Sequence, residues 1–400
     1  MPSRLRVFIA LLIVALLVLG TFAALVWLVP VPLSNKRVFF DFLLGRGINT
    51  PAPEVLTERL SVPEGFELEL YAGDIPLARW LQFTASGDLL VSRSRAGEVL
   101  LLKRDADNDG RADGSRVLLS GLDRPHGLAI RDGWLWVAET TAVGRVPFDE
   151  AGGQITGSYE RIITGLTGDG FHLTRTIGFG PDGGLYLSQG STCNVCVEKD
   201  ERRATIMRFE PDASNGVIYA SGLRNSVGFD WAPWDGALYA TENGRDLLGD
   251  DFPPDELNRV EAGGFYGWPY VNGFGVPDPD FGDSAPALAV TAKPPVHAFR
   301  AHNAPLGICF ITQSSPPPGY ERAALVALHG SWNRSSPDGY KVVSLHWRSD
   351  GSIEERDFLS GFLGPDGVIG RPSDVAEGPD GAFYVADDYA GAVYRVSYRR

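Results

Sequence analysis

Residues 177–190 read IGFGPDGGLYLSQG, two short β-rich runs joined by a Pro-Asp-Gly turn. Leu185 and Leu187 alternate with Tyr186 and Ser188, the period of a strand whose two faces meet different neighbours. The pattern returns at LQFTASGDLLVSRSRAGEVLLLKRD (81–105), LAIRDGWLWVAETTAVGRVPFD (128–149), VGFDWAPWDGALYATENG (227–244) and VAEGPDGAFYVADDYAGAVYRVSY (375–398). A degenerate copy, GICFITQSSPPPGYERAALVALHGSWNR, spans 307–334. Most copies start roughly 50 residues apart, a spacing found in propeller repeats, and two longer intervals mark insertions. Six such copies with Gly-rich turns and almost no helical periodicity exclude a doubly wound α/β fold. They predict an all-β domain, a six-bladed β-propeller of four-stranded antiparallel blades. GFELELYAG (65–73) is expected to close the ring by completing the last blade with the C-terminal end of the chain.

The bulk numbers narrow the partners. Among 400 residues, 36 Lys and Arg stand against 50 Asp and Glu, a net charge of −14. An acidic chain does not offer the clustered bases that a phosphate backbone requires, so nucleic acid is excluded as a partner. The stretch MPSRLRVFIALLIVALLVLGTFAALVWLV (1–29) places Arg4 and Arg6 before a charge-free run from Val7 to Val29, long enough to cross a bilayer as a transmembrane helix. An uncleaved N-terminal anchor is the expectation. A cleaved signal peptide is the alternative, but the run is longer than a usual h-region and no A-x-A site precedes a polar start. The arginines on the short N-terminal side leave the rest of the chain outside the cytoplasm, in the periplasm if the host is Gram-negative. The chain then divides into an anchor or signal segment (1–36), a juxtamembrane linker (37–62) and a propeller domain (63–400).

Three cysteines are present. Cys193 and Cys196 in STCNVCVE suit a local disulfide in an oxidising compartment. Val197 stands where haem attachment needs His, and no second ligand pair suits zinc. Cys309 reads as a buried apolar thiol.

Five stretches depart from the repeat: GFHLTR (170–175), GLRNSVGFDW (222–231), the long insertion TENGRDLLGDDFPPDELNRVEAGGFYGWPYVNG (241–273), AHNAPLGICF with HGSWNRSSPDGYK (301–310 and 329–341), and GRPSDVAEGPDG (370–381). His172 and Arg175 precede the third copy's strand as Arg224 and Asn225 precede the fourth's and Arg371 the sixth's. Equivalent positions on successive blades face the same channel mouth. Arg175, Arg224, Arg334 and Arg371 then gather on one face of an acidic protein, a pattern that suits an anionic ligand unless each pairs with a neighbouring blade's acid. Arg175 either joins that site or braces His172. His126 in RPHGLA and His302 in AHNAP either line the channel or are satisfied by nearby backbone.

In order and spacing these stretches resemble the pyrroloquinoline quinone-dependent sugar dehydrogenases, in particular the sorbosone, aldose and pyranose dehydrogenase branch. The resemblance runs from about Pro63 to Arg400 and excludes the anchor. It implies that His172 is the general base, that Arg224 and Asn225 contact the quinone oxygens, and that the backbone carbonyls of Gly244 and Arg245 hold a calcium ion. It further implies that Thr312, Asn333, Arg334 and Arg371 bind the cofactor. Ser373 stands where the soluble glucose-oxidising relatives carry a second basic residue, and Phe310 where they carry Trp. The cofactor's carboxylates are then left to Arg334 and Arg371. The resemblance implies oxidation of an aldose or similar hydroxy-aldehyde, with electrons passed to a membrane quinone or cytochrome.

A second calcium candidate is DADNDGRADG (105–114), where Asp105, Asp107, Asp109 and Asp113 fall at positions one, three, five and nine of an EF-hand-like loop. Arg116 replaces the position-twelve Glu, so a solvated acidic hairpin loop is the other reading. Two other functions fit the fold: a calcium-dependent propeller hydrolase of the gluconolactonase sort and a non-catalytic interaction module.

Overall fold

The computed structural model describes residues 44–399 together with positions 13, 17, 20, 21, 38 and 41. The expected membrane-spanning run therefore lies largely outside the described residues. Among those described, no helix is long and apolar enough to cross a membrane.

Six sheets form the six expected blades, antiparallel throughout except that Gly264–Phe265 adds a parallel pairing to Val217–Ser221 at the edge of the third. Their first strands are Ala78–Phe83, Leu128–Arg131, Arg175–Phe179, Phe229–Trp231, Pro305–Phe310 and Pro372–Glu377. Each of these begins a path of at least four hydrogen-bonded strands. In the sixth blade the outer place is taken by Phe66–Ala72, which pairs antiparallel with Ala392–Tyr398 from Phe66 opposite Tyr398 to Ala72 opposite Val393. The expected closing strand thus joins the two ends of the domain.

The apolar side chains fall into six buried clusters among the described residues, one at each seam between successive blades. Leu187 packs toward the second blade while Tyr186 packs toward the fourth, which is the alternation seen in the sequence. A strand sandwiched in this way buries both faces, so its central residues read as nearly continuous apolar runs. The short helix Pro53–Arg59 sets Leu56 against the seam between the fifth and sixth blades.

The inner strands approach one another closely. A Cβ at Gly228 would meet the Leu306 carbonyl oxygen at 2.1 Å, and one at Gly307 would meet Asp374 Oδ1 at 2.0 Å. Side chains also bridge junctions of the ring: Asp374 Oδ2 accepts from the Leu81 amide at 2.8 Å, Asp230 Oδ2 from the Phe310 amide at 2.7 Å, and Thr176 Oγ1 donates to the Val227 carbonyl at 2.5 Å. These contacts fix the order and register of the ring from inside.

Closure by Phe66–Ala72 should be visible in the stability of the domain. Phe66 is buried, with its ring edge-on to Tyr320, Phe358 and Tyr398. Phe66→Ala should destabilise the domain by about 3–5 kcal/mol. Val217→Ala, on an exposed outer strand, should change it by less than about 0.5 kcal/mol. Denaturant melts of the two variants check the difference.

Candidate active site

All six inner strands start on the same face of the ring, so the segments just ahead of them converge. They line a cavity of about 700 Å³. His172, Arg224, Asn225, Gly244, Asn333 and Arg371 all reach its wall, which joins most of the residues singled out in the sequence. His302 joins them, its Nε2 against the Gly249 carbonyl at 2.8 Å.

His172 is held by its Nδ1, which lies 2.9 Å from both the carbonyl oxygen and the Oγ of Ser191. A carbonyl only accepts, and the Ser191 hydroxyl donates to the Cys193 carbonyl at 2.7 Å. Nδ1 therefore carries the proton, and Nε2 keeps a free lone pair. Burial, followed by the nearby Arg224 guanidinium, pushes the imidazole pKa well below its ordinary value. The ring is thus a neutral base at physiological pH.

Arg175 does not join the cavity wall. It is fully buried and donates to the carbonyls of Thr167, His172 and Thr174 at 2.7–3.0 Å. Arg203 does the same from the segment ahead of the blade's third strand, reaching Thr167, His172 and Ser191. Two guanidinium groups so placed hold the entry segment of the third blade in one shape. Burial, then repulsion from Arg203, lowers the Arg175 pKa to about 9. Arg175 braces His172 rather than meeting a ligand, and Arg203, in the middle of an unremarkable ERRAT stretch, left no signal in the sequence.

Arg224 commits four of its five N–H groups: to the Asn194 carbonyl and side-chain oxygen at 2.9 Å each, to the Asn243 carbonyl at 3.0 Å and to Asp246 at 2.8 Å. One N–H on Nη1 has no partner among the described residues. Asn194 sits inside the loop closed by the Cys193–Cys196 disulfide, the staple the spacing suggested. The Asn225 backbone amide donates to Glu242 Oε1 at 2.7 Å, while its side-chain amide faces the cavity with no hydrogen bond to a described residue. Burial pushes the Glu242 carboxyl up to about 8. The same clamp recurs where Glu139 takes the Asp123 amide and Asp387 the Arg371 amide. An acid at the end of each of these second strands fixes the entry segment that precedes the first.

The carbonyl oxygens of Gly244 and Arg245 accept no hydrogen bond from described residues, which leaves both available to a hard cation. The Arg245 side chain turns away, into Asp278 at 2.6 Å and Asp280 at 2.5 Å. Arg371 donates to the carbonyls of His329 at 3.0 Å and Gly330 at 2.9 Å, and its Nη1 has no partner among the described residues. Asn333 donates to Asp246 at 3.1 Å and leaves its buried Oδ1 without a partner among them.

Besides Arg175, the residues Arg245, Thr312, Arg334 and His126 do not line this cavity. Thr312 lies beyond the end of Pro305–Phe310, and because that strand starts at the cavity it carries Thr312 to the opposite face, exposed and bonded to Glu377 at 2.5 Å. Arg334 points into the insertion, bonding Ala301 and Asp251 at 3.1 Å. His126 is buried against Trp80 in the seam between the first two blades. Arg79 lines the cavity wall, as Arg334 does not. It lies at the start of the first blade's inner strand, close to the position Arg175 holds in the third, so the same rule would have found it. Its Nη1 meets Asp388 at 2.5 Å, and His329 Nε2 meets the other oxygen at 2.8 Å. Burial alone would raise the Asp388 pKa, but His329 and Arg79 hold it below its ordinary value. Arg95 and Arg124 also line the mouth.

Asp105, Asp107 and Asp109 do bring carboxylate oxygens within 4.8 Å of one another, on a hairpin at the end of the first blade remote from the cavity. Asp113 is outside that group and accepts from the Ala106 amide at 3.1 Å. Cys309 is partly buried, and its thiol is pushed well up by burial and then by Asp230.

Residues 60–269 and 281–399 match the family model described as TrAA12-like. An uncharacterized protein of Borreliella burgdorferi is 30% identical over 88% of this chain and 94% of its own length. The pyrroloquinoline quinone-dependent pyranose dehydrogenase of Coprinopsis cinerea is 26% identical over 71% of this chain, and the match spans only 44% of that enzyme. The holo form of the pyranose dehydrogenase PQQ domain from Coprinopsis cinerea superposes with a TM-score of 0.71 at 22% identity, covering 85% of this chain and 97% of that one, a likeness of fold.

Because Asn194 Oδ1 accepts from both Arg224 Nη2 and the Asp246 amide, Asn194→Ala, which keeps the carbonyl bonded to Arg224 Nε, should cost about 1–3 kcal/mol in denaturant melts. The substitution leaves the Cys193–Cys196 disulfide in place. A loss no larger than that of Val217→Ala, exposed on an outer strand of the same blade, would mean that Asn194 does not hold the Arg224 network together.

Proposed function

The chain belongs to the TrAA12-like family, and we propose that it is a dehydrogenase of aldoses or similar hydroxy-aldehydes that uses pyrroloquinoline quinone with calcium. The observation that carries this reading is His172: a neutral imidazole, locked in one tautomer by Ser191, at the wall of a cavity that also presents the fixed cation Arg224.

The residues present suit the cofactor. A planar, tricarboxylic quinone needs cations and unfilled polar groups, and the wall offers Arg79, Arg371, the last N–H of Arg224, the amide of Asn225 and the orphaned Oδ1 of Asn333. The free carbonyls of Gly244 and Arg245 would hold the calcium ion. When bound, the quinone supplies the acceptor for a hydride.

The chain's own part is acid–base and electrostatic. His172 Nε2 takes the proton from the substrate hydroxyl whose carbon is being oxidised. Arg224, kept rigid by Asn194, Asn243 and Asp246, presents a fixed positive charge where negative charge builds up. Asp246 and Asp255 are already committed, the first to Arg224 and Asn333, the second to the amides of Gly244 and Ala304 at 2.8 Å. That commitment argues against a hydrolase built on side-chain carboxylate metal ligands. In this reading the N-terminal run anchors the protein, the active site is extracytoplasmic, and a membrane quinone or cytochrome takes the electrons.

Reconstitution with cofactor and calcium tests the reading: sugar-dependent dye reduction is expected, and its absence across a panel of aldoses would overturn it. His172→Ala should keep the bound quinone and lose roughly 10²–10⁴-fold in turnover. Because the His172 pKa is lowered, its base form survives acidification, and the acid limb of kcat/KM attributable to it should lie below about pH 6.5. Chelation of calcium should abolish dye reduction, and added calcium should restore it.

A further inference from the structure

The cavity mouth is the face on which the N-terminal segment arrives. Val38 is buried in the cavity wall, and Gly45 and Arg46 line it as well. Asp41 accepts from the Tyr389 hydroxyl at 2.9 Å, and the Ile48 amide donates to the Tyr389 carbonyl at 2.8 Å. These bonds tie the segment to the rim of the sixth blade.

The apolar run ends at Val29, nine residues before Val38. Fully extended, that length of chain spans at most about 30 Å. The mouth therefore cannot stand farther than this from the membrane surface in which the run ends.

The rim is also apolar for a face open to water. Phe171 is 76% exposed and Leu247 60% exposed, both at the cavity edge, and Leu44, next to Gly45 in the rim, is 62% exposed. The guanidinium groups of Arg46 and Arg124, also at the rim and exposed, make no hydrogen bond to described residues. Exposed aromatic and aliphatic side chains bordered by arginines are the composition of a surface that lies in the headgroup region of a bilayer.

We propose that this face of the propeller docks on the bilayer, with Phe171 and Leu247 in the interfacial region and Arg46 and Arg124 toward anionic headgroups. The inference rests on the N-terminal anchor of the functional reading and adds an orientation to it. Its consequence is that the cavity opens beside the headgroups rather than toward bulk solvent.

The test uses the full chain at one copy per nanodisc of phosphatidylcholine and phosphatidylglycerol, with bromine on the acyl chains. An environment-sensitive fluorophore is attached in turn to Phe171→Cys, Leu247→Cys and Val217→Cys. Val217 is exposed and begins a strand at the opposite end of the third blade, so it serves as the control. The expected result is loss of fluorescence at 171 and 247, protection of both labels from aqueous iodide, and neither effect at 217. Incorporation into the discs with all three labels open to iodide and unquenched by bromine would overturn the docking while leaving the anchor intact. Failure to enter the discs would overturn both. Quinone binding to the unlabelled chain, followed in the same discs by absorbance, reports separately on the functional reading.

Discussion

The close approach of the inner strands is the constraint that shapes everything else in the molecule. Gly228 and Gly307 bring neighbouring first strands so close that no side chain fits there, and hydrogen bonds from Asp230, Asp374 and Thr176 tie three of the ring's junctions. Six strands so fixed must all begin on one face. Whatever precedes them is then delivered to the same cavity, and each blade can contribute a different chemical group from an equivalent place. The pairing of Phe66–Ala72 with Ala392–Tyr398 keeps the ring from opening where the two ends of the domain meet.

Rigidity at the cavity is achieved by side chain to backbone bonds more than by ion pairs. Arg175 and Arg203 direct their guanidinium groups at carbonyls of the entry segment, while Glu139, Glu242 and Asp387 take amides of others. Burying an arginine without a carboxylate is costly, but a set of carbonyl acceptors offsets much of that cost. The result is a histidine whose tautomer is set before any ligand arrives. Around it the cations Arg79, Arg224 and Arg371 are fixed while the protein as a whole is acidic.

The fold was legible because turn chemistry and period-two alternation repeat six times, and repetition is local information. The cavity was legible to the extent that the blades are equivalent: His172, Arg224, Asn225 and Arg371 occupy similar places in their copies. Arg79 obeyed the same rule but stood in the copy that follows the closing strand. Thr312 and Arg334 were misplaced for a different reason. Which end of a strand faces the cavity, and whether an arginine turns inward or into an insertion, depend on contacts distant in sequence, such as Arg334 with Asp251. Arg203 was invisible because its partners are backbone carbonyls, which carry no residue identity.

Hydride transfer from a sugar to a quinone in this cavity, under the control of His172, is tested most directly by an anaerobic single-turnover experiment. The chain is loaded with pyrroloquinoline quinone and calcium, and the absorbance of the bound quinone is followed as an aldose is added. Complete conversion to the reduced spectrum is expected, fast in the native chain and slow in His172→Ala. A bound quinone whose spectrum is unmoved by every aldose, or that is reduced equally fast without the imidazole, would refute the assignment.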